Sequence, residues 1–103
     1  MIHVIARLQT EPGQRDTVYN AFKETLAVVQ AKPGCIEYVP AVHFDSGMPG
    51  QVGHADDEVL IVEKWTDLAA LQAHIQDPAY REWYLGVWPN IASASMEIYE
   101  SEG

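Results

Sequence analysis

A single cysteine, Cys35, stands in a chain of 103 residues. One thiol cannot close an internal disulfide, so the expected setting is a reducing cytoplasm. Basic residues are scarce too: six Lys and Arg face fifteen Asp and Glu, a formal net charge of −9. Nucleic acid is recognised through a basic face, which so few cations do not assemble. An anionic membrane surface is disfavoured for the same reason. Long apolar runs are missing; stretches such as Val59–Val62 fall far short of the roughly 20 residues of a bilayer span. Membrane insertion is therefore not expected. The opening Met1-Ile2-His3-Val4 has no basic segment and soon meets Arg7 and Glu11, unlike a secretory leader. There is also no glycine-rich dinucleotide loop, P-loop, cysteine pair or two-histidine helix motif. His3, His43, His54 and His74 lie on separate elements, with no ligand spacing among them. No cofactor and no metal is expected.

What remains is ordinary globular composition, 48% hydrophobic and 20% charged. The length predicts one domain, residues 1–103. Surface scaling gives a folded area of roughly 5,800 Å² against about 16,700 Å² for the extended chain. That suffices for one modest core. Net acidity keeps the chain soluble and leaves neutral small molecules open as ligands.

Periodicity divides the chain into alternating strands and helices. His3–Gln9 alternates, with Ile2, Val4, Ala6 and Leu8 on one side and His3, Ile5, Arg7 and Gln9 on the other. Val18, Phe22, Leu26 and Val29 form one helical stripe running to about Ala31, where Lys32-Pro33-Gly34 stops it. Cys35–Phe44 reads as a second strand with Ile36, Tyr38, Val42 and Phe44 on one face. Its Pro40 cannot donate to a ladder and implies a bulge or an edge. Asp45–Asp57 is polar and glycine-containing, a long loop. Glu58–Trp65 is a third strand, with Val59, Ile61, Glu63 and Trp65 sharing a face. Thr66-Asp67 can cap a helix carrying Leu68, Leu71 and Ile75, and Asp77-Pro78 restarts it as cap and first residue. Pro89-Asn90 ends that helix, and Ile91–Tyr99 alternates again. The order is strand, helix, strand, strand, broken helix, strand. That is the split β-α-β arrangement of ferredoxin-like α+β domains: a four-stranded antiparallel sheet with helices on one face. The first and third strands are apolar on both sides, so a second copy is expected to cover the free face as a homodimer.

Candidate functional residues are few. Cys35 opens a strand with no base beside it in sequence and reads as a small buried hydrophobe rather than a nucleophile. Trp65, Tyr80, Trp83, Tyr84 and Trp88 cluster late in the chain. They serve either packing and dimer contact or an aromatic-walled pocket for a planar ligand. His74 borders the apolar stripe near the helix break. It is either a cap or a pocket histidine able to accept a proton from a phenol.

Three stretches carry a family resemblance: Gly34-Cys35-Ile36-Glu37-Tyr38, Val62-Glu63-Lys64-Trp65, and Leu71 through Pro78 with His74 at its centre. In order and spacing they resemble the antibiotic biosynthesis monooxygenase superfamily, and within it the bacterial quinol monooxygenases. The resemblance runs from Ile2 to about Tyr99. It implies a dimeric α+β barrel and cofactor-independent oxygenation of a quinol or related polycyclic phenol by dioxygen. It also implies an apolar pocket between sheet and helices, with His74 as proton acceptor and Trp65, Tyr84, Tyr80, Trp83 and Ile61 around the substrate. Some relatives carry a second histidine where Ala79 follows Pro78 here. Others use a third-strand asparagine where Val59-Leu60-Ile61-Val62 is wholly apolar. Tyr80–Trp88 contains no histidine, so haem degradation is not expected. Two other classes fit the same barrel: a ligand-binding or stress-related dimer without turnover, and an isomerase or dehydratase that also uses His74 as a base.

Overall fold

The computed structural model describes residues 1–53 and 55–103; His54 lies outside the described residues. The element order is β1 (Ile2–Thr10), α1 (Arg15–Glu24), α2 (Leu26–Gln30), β2 (Cys35–Ala41), β3 (Glu58–Trp65), α3 (Leu68–Gln76), α4 (Pro78–Val87), a 3₁₀ turn (Trp88–Asn90) and β4 (Ile91–Glu100). The strands form one sheet in the order β2-β3-β1-β4, every pairing antiparallel. This is the ferredoxin-like arrangement. Among the described residues no helix is long and apolar enough to cross a membrane.

The alternation of β1 and β3 sets the layers. Val4 faces the partner position Glu63 and Leu8 faces Val59, so both strands turn the same parity toward the helices. On that side Val4, Leu8, Val59, Ile61 and Trp65 are buried against Val18, Phe22, Val29, Leu71 and Val87. Each fully buried aliphatic or aromatic side chain contributes about 1.5–3 kcal/mol. The opposite side carries Ile5, Leu60 and Val62, half-buried, beside Arg7, which pairs with Glu58 at 3.4 Å and Glu97 at 3.2 Å.

Two local features depart from the sequence expectation. The helix expected to reach about Ala31 is two helices that meet at Thr25. There the hydroxyl donates to the Phe22 carbonyl at 2.8 Å, three residues back, which competes with the helical ladder. In β2 the register shifts between Cys35 and Glu37. Ile36 is thereby left 49% exposed instead of sharing the buried face of Tyr38. The strand ends at Ala41, so Val42 and Phe44 belong to the following loop. Pro40 sits on an edge strand, as its missing donor requires.

Candidate functional site

The site is built on β3 and on the joint between α3 and α4. Glu63 lies on the apolar, helix-facing side of β3 and is 7% exposed. A lone carboxylate there needs a partner. Trp65, two residues along on the same face, donates its indole N–H to Glu63 Oε1 at 3.0 Å. Among the described residues no enclosed side-chain oxygen or nitrogen lacks a partner. The second oxygen, Oε2, is therefore not enclosed, and Glu63 lines a cavity of about 600 Å³. Burial pushes the Glu63 carboxyl up to about 7, while the Trp65 hydrogen bond pulls it down.

This cavity lies between the sheet and α4. Ala6, Leu8, Ile61, Glu63 and Met96 come from the strands; Tyr80, Arg81, Tyr84 and Leu85 come from α4; His74 and Ile75 close it from α3, and Phe22 from α1. The lining is mostly apolar, with carboxyl, imidazole, guanidinium and phenol groups converging on it.

His74 reaches the cavity because α3 ends beside it. Asp77 caps α4, accepting from the Ala79 N–H at 3.1 Å, with Pro78 as the first helical residue. The same carboxylate pairs with Lys32 Nζ at 2.9 Å through its other oxygen. The Lys32 ammonium also donates to His74 Nδ1 at 2.9 Å. An ammonium has no lone pair, so Nδ1 accepts and the imidazole proton sits on Nε2. His74 is 3% exposed. Its ring stacks on Trp65 at 5.0 Å and lies 4.1 Å from the Tyr80 ring. Burial, then the Lys32 charge, lowers its pKa to about 4, against a smaller pull from Asp77. His74 is thus neutral at pH 7. The lone pair that a proton acceptor needs is occupied by Lys32, and the free ring nitrogen is a donor. Below the imidazole the Tyr38 and Tyr80 hydroxyls meet at 2.9 Å, and burial raises both phenols above their ordinary value.

Of the residues expected around the substrate, Ile61, Tyr80 and Tyr84 line the cavity with His74. Trp65 and Trp83 do not. Trp65 is fully buried beneath His74, and Trp83 packs edge-on against Phe22 at 4.9 Å. Cys35 fits the reading of a packing residue: burial, then Glu63, raises its thiol pKa, so little thiolate forms. Among the described residues no group of three His, Cys, Asp or Glu could hold a metal ion.

The comparison with known families settles what this architecture belongs to. Residues 1–84 match the model of the antibiotic biosynthesis monooxygenases. The chain belongs to that family. It is 30% identical over 102 residues to the "Probable quinol monooxygenase YgiN" of Escherichia coli K12, covering 97% of both chains. The Shigella flexneri protein of the same name matches to the same extent. Among solved structures, an antibiotic biosynthesis monooxygenase covers all of both chains with a TM-score of 0.75 at 20% identity. A Shewanella oneidensis protein has a TM-score of 0.77 at 24% identity over 95% of this chain and 87% of its own. Those two likenesses concern the fold alone. Two residues of this candidate site, Glu63 on the cavity wall and Lys32 against His74, were not picked out by the sequence. Glu63 carried a signal: it is the one carboxylate at buried parity among Val59, Ile61 and Trp65. Lys32 carried none, since it meets His74 across 42 positions of sequence.

Proposed function

We propose that this member of the family is a monooxygenase of hydroquinones or related polycyclic phenols, with dioxygen as co-substrate and no bound cofactor. The observation that carries the reading is the cavity: about 600 Å³, walled by Ile61, Phe22, Tyr80 and Tyr84, with Glu63 and His74 opening on it. That volume falls within the ~300–1,000 Å³ of small-molecule sites. The apolar walls fit a planar aromatic body, and the two polar groups fit its hydroxyl. The naming of the YgiN relatives as quinol monooxygenases supports the substrate class. The reaction balances without an added reductant: a hydroquinone and one dioxygen give a hydroxyquinone and one water. Once deprotonated, the substrate itself supplies electrons to oxygen, and the protein binds it, moves the proton and excludes water.

Oxygen uptake tests this. Purified protein, without added flavin or metal, is given a panel of naphthohydroquinones and polyphenols, with autoxidation subtracted. Saturable uptake, linear in protein, is expected. Binding without uptake would make the protein a ligand-binding dimer. Product formation without uptake would make it an isomerase or dehydratase.

A further inference from the structure

We propose that Glu63 is the proton acceptor of this site, acting through Oε2 on the substrate hydroxyl, with His74 as the hydrogen-bond donor beside it. The inference rests on the hydroquinone reading given above.

Three observations carry it. Glu63 stands on the cavity wall, held by a rigid strand, with Oε1 fixed by the Trp65 indole and Oε2 unpartnered among the described residues. A base needs a free lone pair where substrate binds, and Glu63 lines that cavity with this oxygen unpaired among the described residues. The histidine has no free lone pair: Lys32, itself anchored by Asp77, occupies Nδ1. That clamp leaves N–H as the ring's available group, suited to an oxygen on which negative charge develops. The indole bond also keeps the carboxylate from swinging away, so its geometry is preorganised.

The step is a proton transfer. The substrate O–H bond breaks and an Oε2–H bond forms. The electron pair stays on the substrate oxygen as phenolate, and dioxygen is the oxidant that takes electrons from it. Dioxygen bonds to the neighbouring ring carbon as a peroxide, which takes the proton back from the carboxyl; its O–O bond then breaks, and the outer oxygen leaves as water together with the hydrogen of that ring carbon. The groups facing Glu63 are Cys35 and Tyr38 from β2, Tyr80 and Arg81 from α4 and His74 from α3. The first three are neutral near pH 7 by burial-raised pKa values, and His74 by a lowered one. Glu63 is the carboxylate among them, and its pKa of about 7 matches a base working near neutrality.

The test compares wild type, Glu63→Gln and Glu63→Asp by hydroquinone-dependent oxygen uptake across pH. Thermal midpoint and quenching of tryptophan fluorescence by an oxygen-stable naphthol are measured beside it. Glu63→Gln keeps an acceptor for the indole but cannot take the proton. Its kcat/KM is expected to fall about 10²- to 10⁴-fold, with naphthol affinity kept within a few-fold. In wild type, kcat/KM should rise with pH through about 7, the Glu63 value, rather than about 4, the His74 value. The pH profile needs no variant, so it decides even where Glu63→Gln folds poorly. Glu63→Asp should retain the rising limb at a lower rate. Uptake by Glu63→Gln within threefold of wild type, or a wild-type limb near 4, would overturn the assignment. Wild type that binds naphthol but consumes no oxygen overturns the oxygenase reading, and the role of Glu63 in it, by a separate signature.

Discussion

Glu63 and His74 pull in opposite directions when protons are scarce or abundant. The folded state lowers His74 from 6.5 to about 4, so its contribution to stability is complete above pH 6.5 and is lost as pH falls through about 4. The folded state raises Glu63 from 4.5 to about 7, so its contribution is complete below pH 4.5 and is lost as pH rises through about 7. Between these limits unfolding charges His74 with one proton and releases one from Glu63. Each effect alone is on the order of 3 kcal/mol, since one pH unit of displacement corresponds to about 1.4 kcal/mol. Together they nearly cancel. Glu63→Gln should unmask the histidine: relative to wild type, its urea-unfolding free energy should drop by about 2 kcal/mol as pH falls from 6.5 to 4.5. His74→Gln should show the mirror slope, falling as pH rises. Profiles parallel to wild type would refute the coupling. At this scale the sequence was partly legible. Helical spacing places His74 by the pocket, and strand parity puts Glu63 on the buried face. The proton on Nε2 was not legible, because it depends on Lys32 and Asp77, which only the fold brings together.

Elements were legible where one residue type dictates the backbone, and less so where two local forces compete. Asp77-Pro78 marks the break between α3 and α4 because aspartate caps and proline begins a helix. Thr25 and Ile36 gave no such warning; a hydroxyl bonding back to Phe22 and a register shift against β3 decided them. The α2–β2 turn belongs to the first kind. Gly34 has φ +81°, a left-handed conformation that suits glycine. An added Cβ would also meet Ala70 Cβ at 2.5 Å and Thr66 Oγ1 at 2.8 Å. Its backbone carbonyl accepts from Thr66 N–H at 2.9 Å, which locks β2 to the start of α3. Gly34→Ala therefore combines left-handed strain with a clash against α3, the helix that carries His74. A loss of about 2–4 kcal/mol is expected, seen as a fall in thermal midpoint of roughly 10 °C or more. A midpoint within two degrees of wild type would show that the turn relaxes freely. Gly13, also at positive φ, has nothing within 4 Å of an added Cβ, so Gly13→Ala should cost less and serves as the control.

One layer of sheet with helices on one side makes a slab, 35 × 34 × 21 Å. Its accessible area, 6444 Å², exceeds the roughly 5,800 Å² expected for a compact chain of this mass. Its radius of gyration, 14.1 Å, exceeds the about 13 Å of a domain this long. The surplus is apolar in part. Ile5, Leu60 and Val62 lie on the face away from the helices, and on the other face Met96 and Ile98 of β4 extend past helix cover at 48% and 47% exposure. Phe44, Met48 and Val52 on the β2–β3 loop are more exposed still. A second copy of the chain is the occupant whose own surplus matches, because a two-fold interface places like patches together. The prediction is a homodimer of twice 11.5 kDa at low micromolar concentration, burying about 800 Å² or more per subunit. Sedimentation velocity reads it directly. Leu60→Asp sets a charge in the middle of the helix-free face, opposite Arg7 in the register. Desolvating that carboxylate in an interface costs several kcal/mol, so the variant should sediment as a folded monomer or show at least a hundredfold weaker association. Wild type that sediments as a folded 11.5 kDa species would refute the dimer. A Leu60→Asp protein that stays dimeric would move the contact to β4 and the β2–β3 loop, where Ile98→Asp is the corresponding probe.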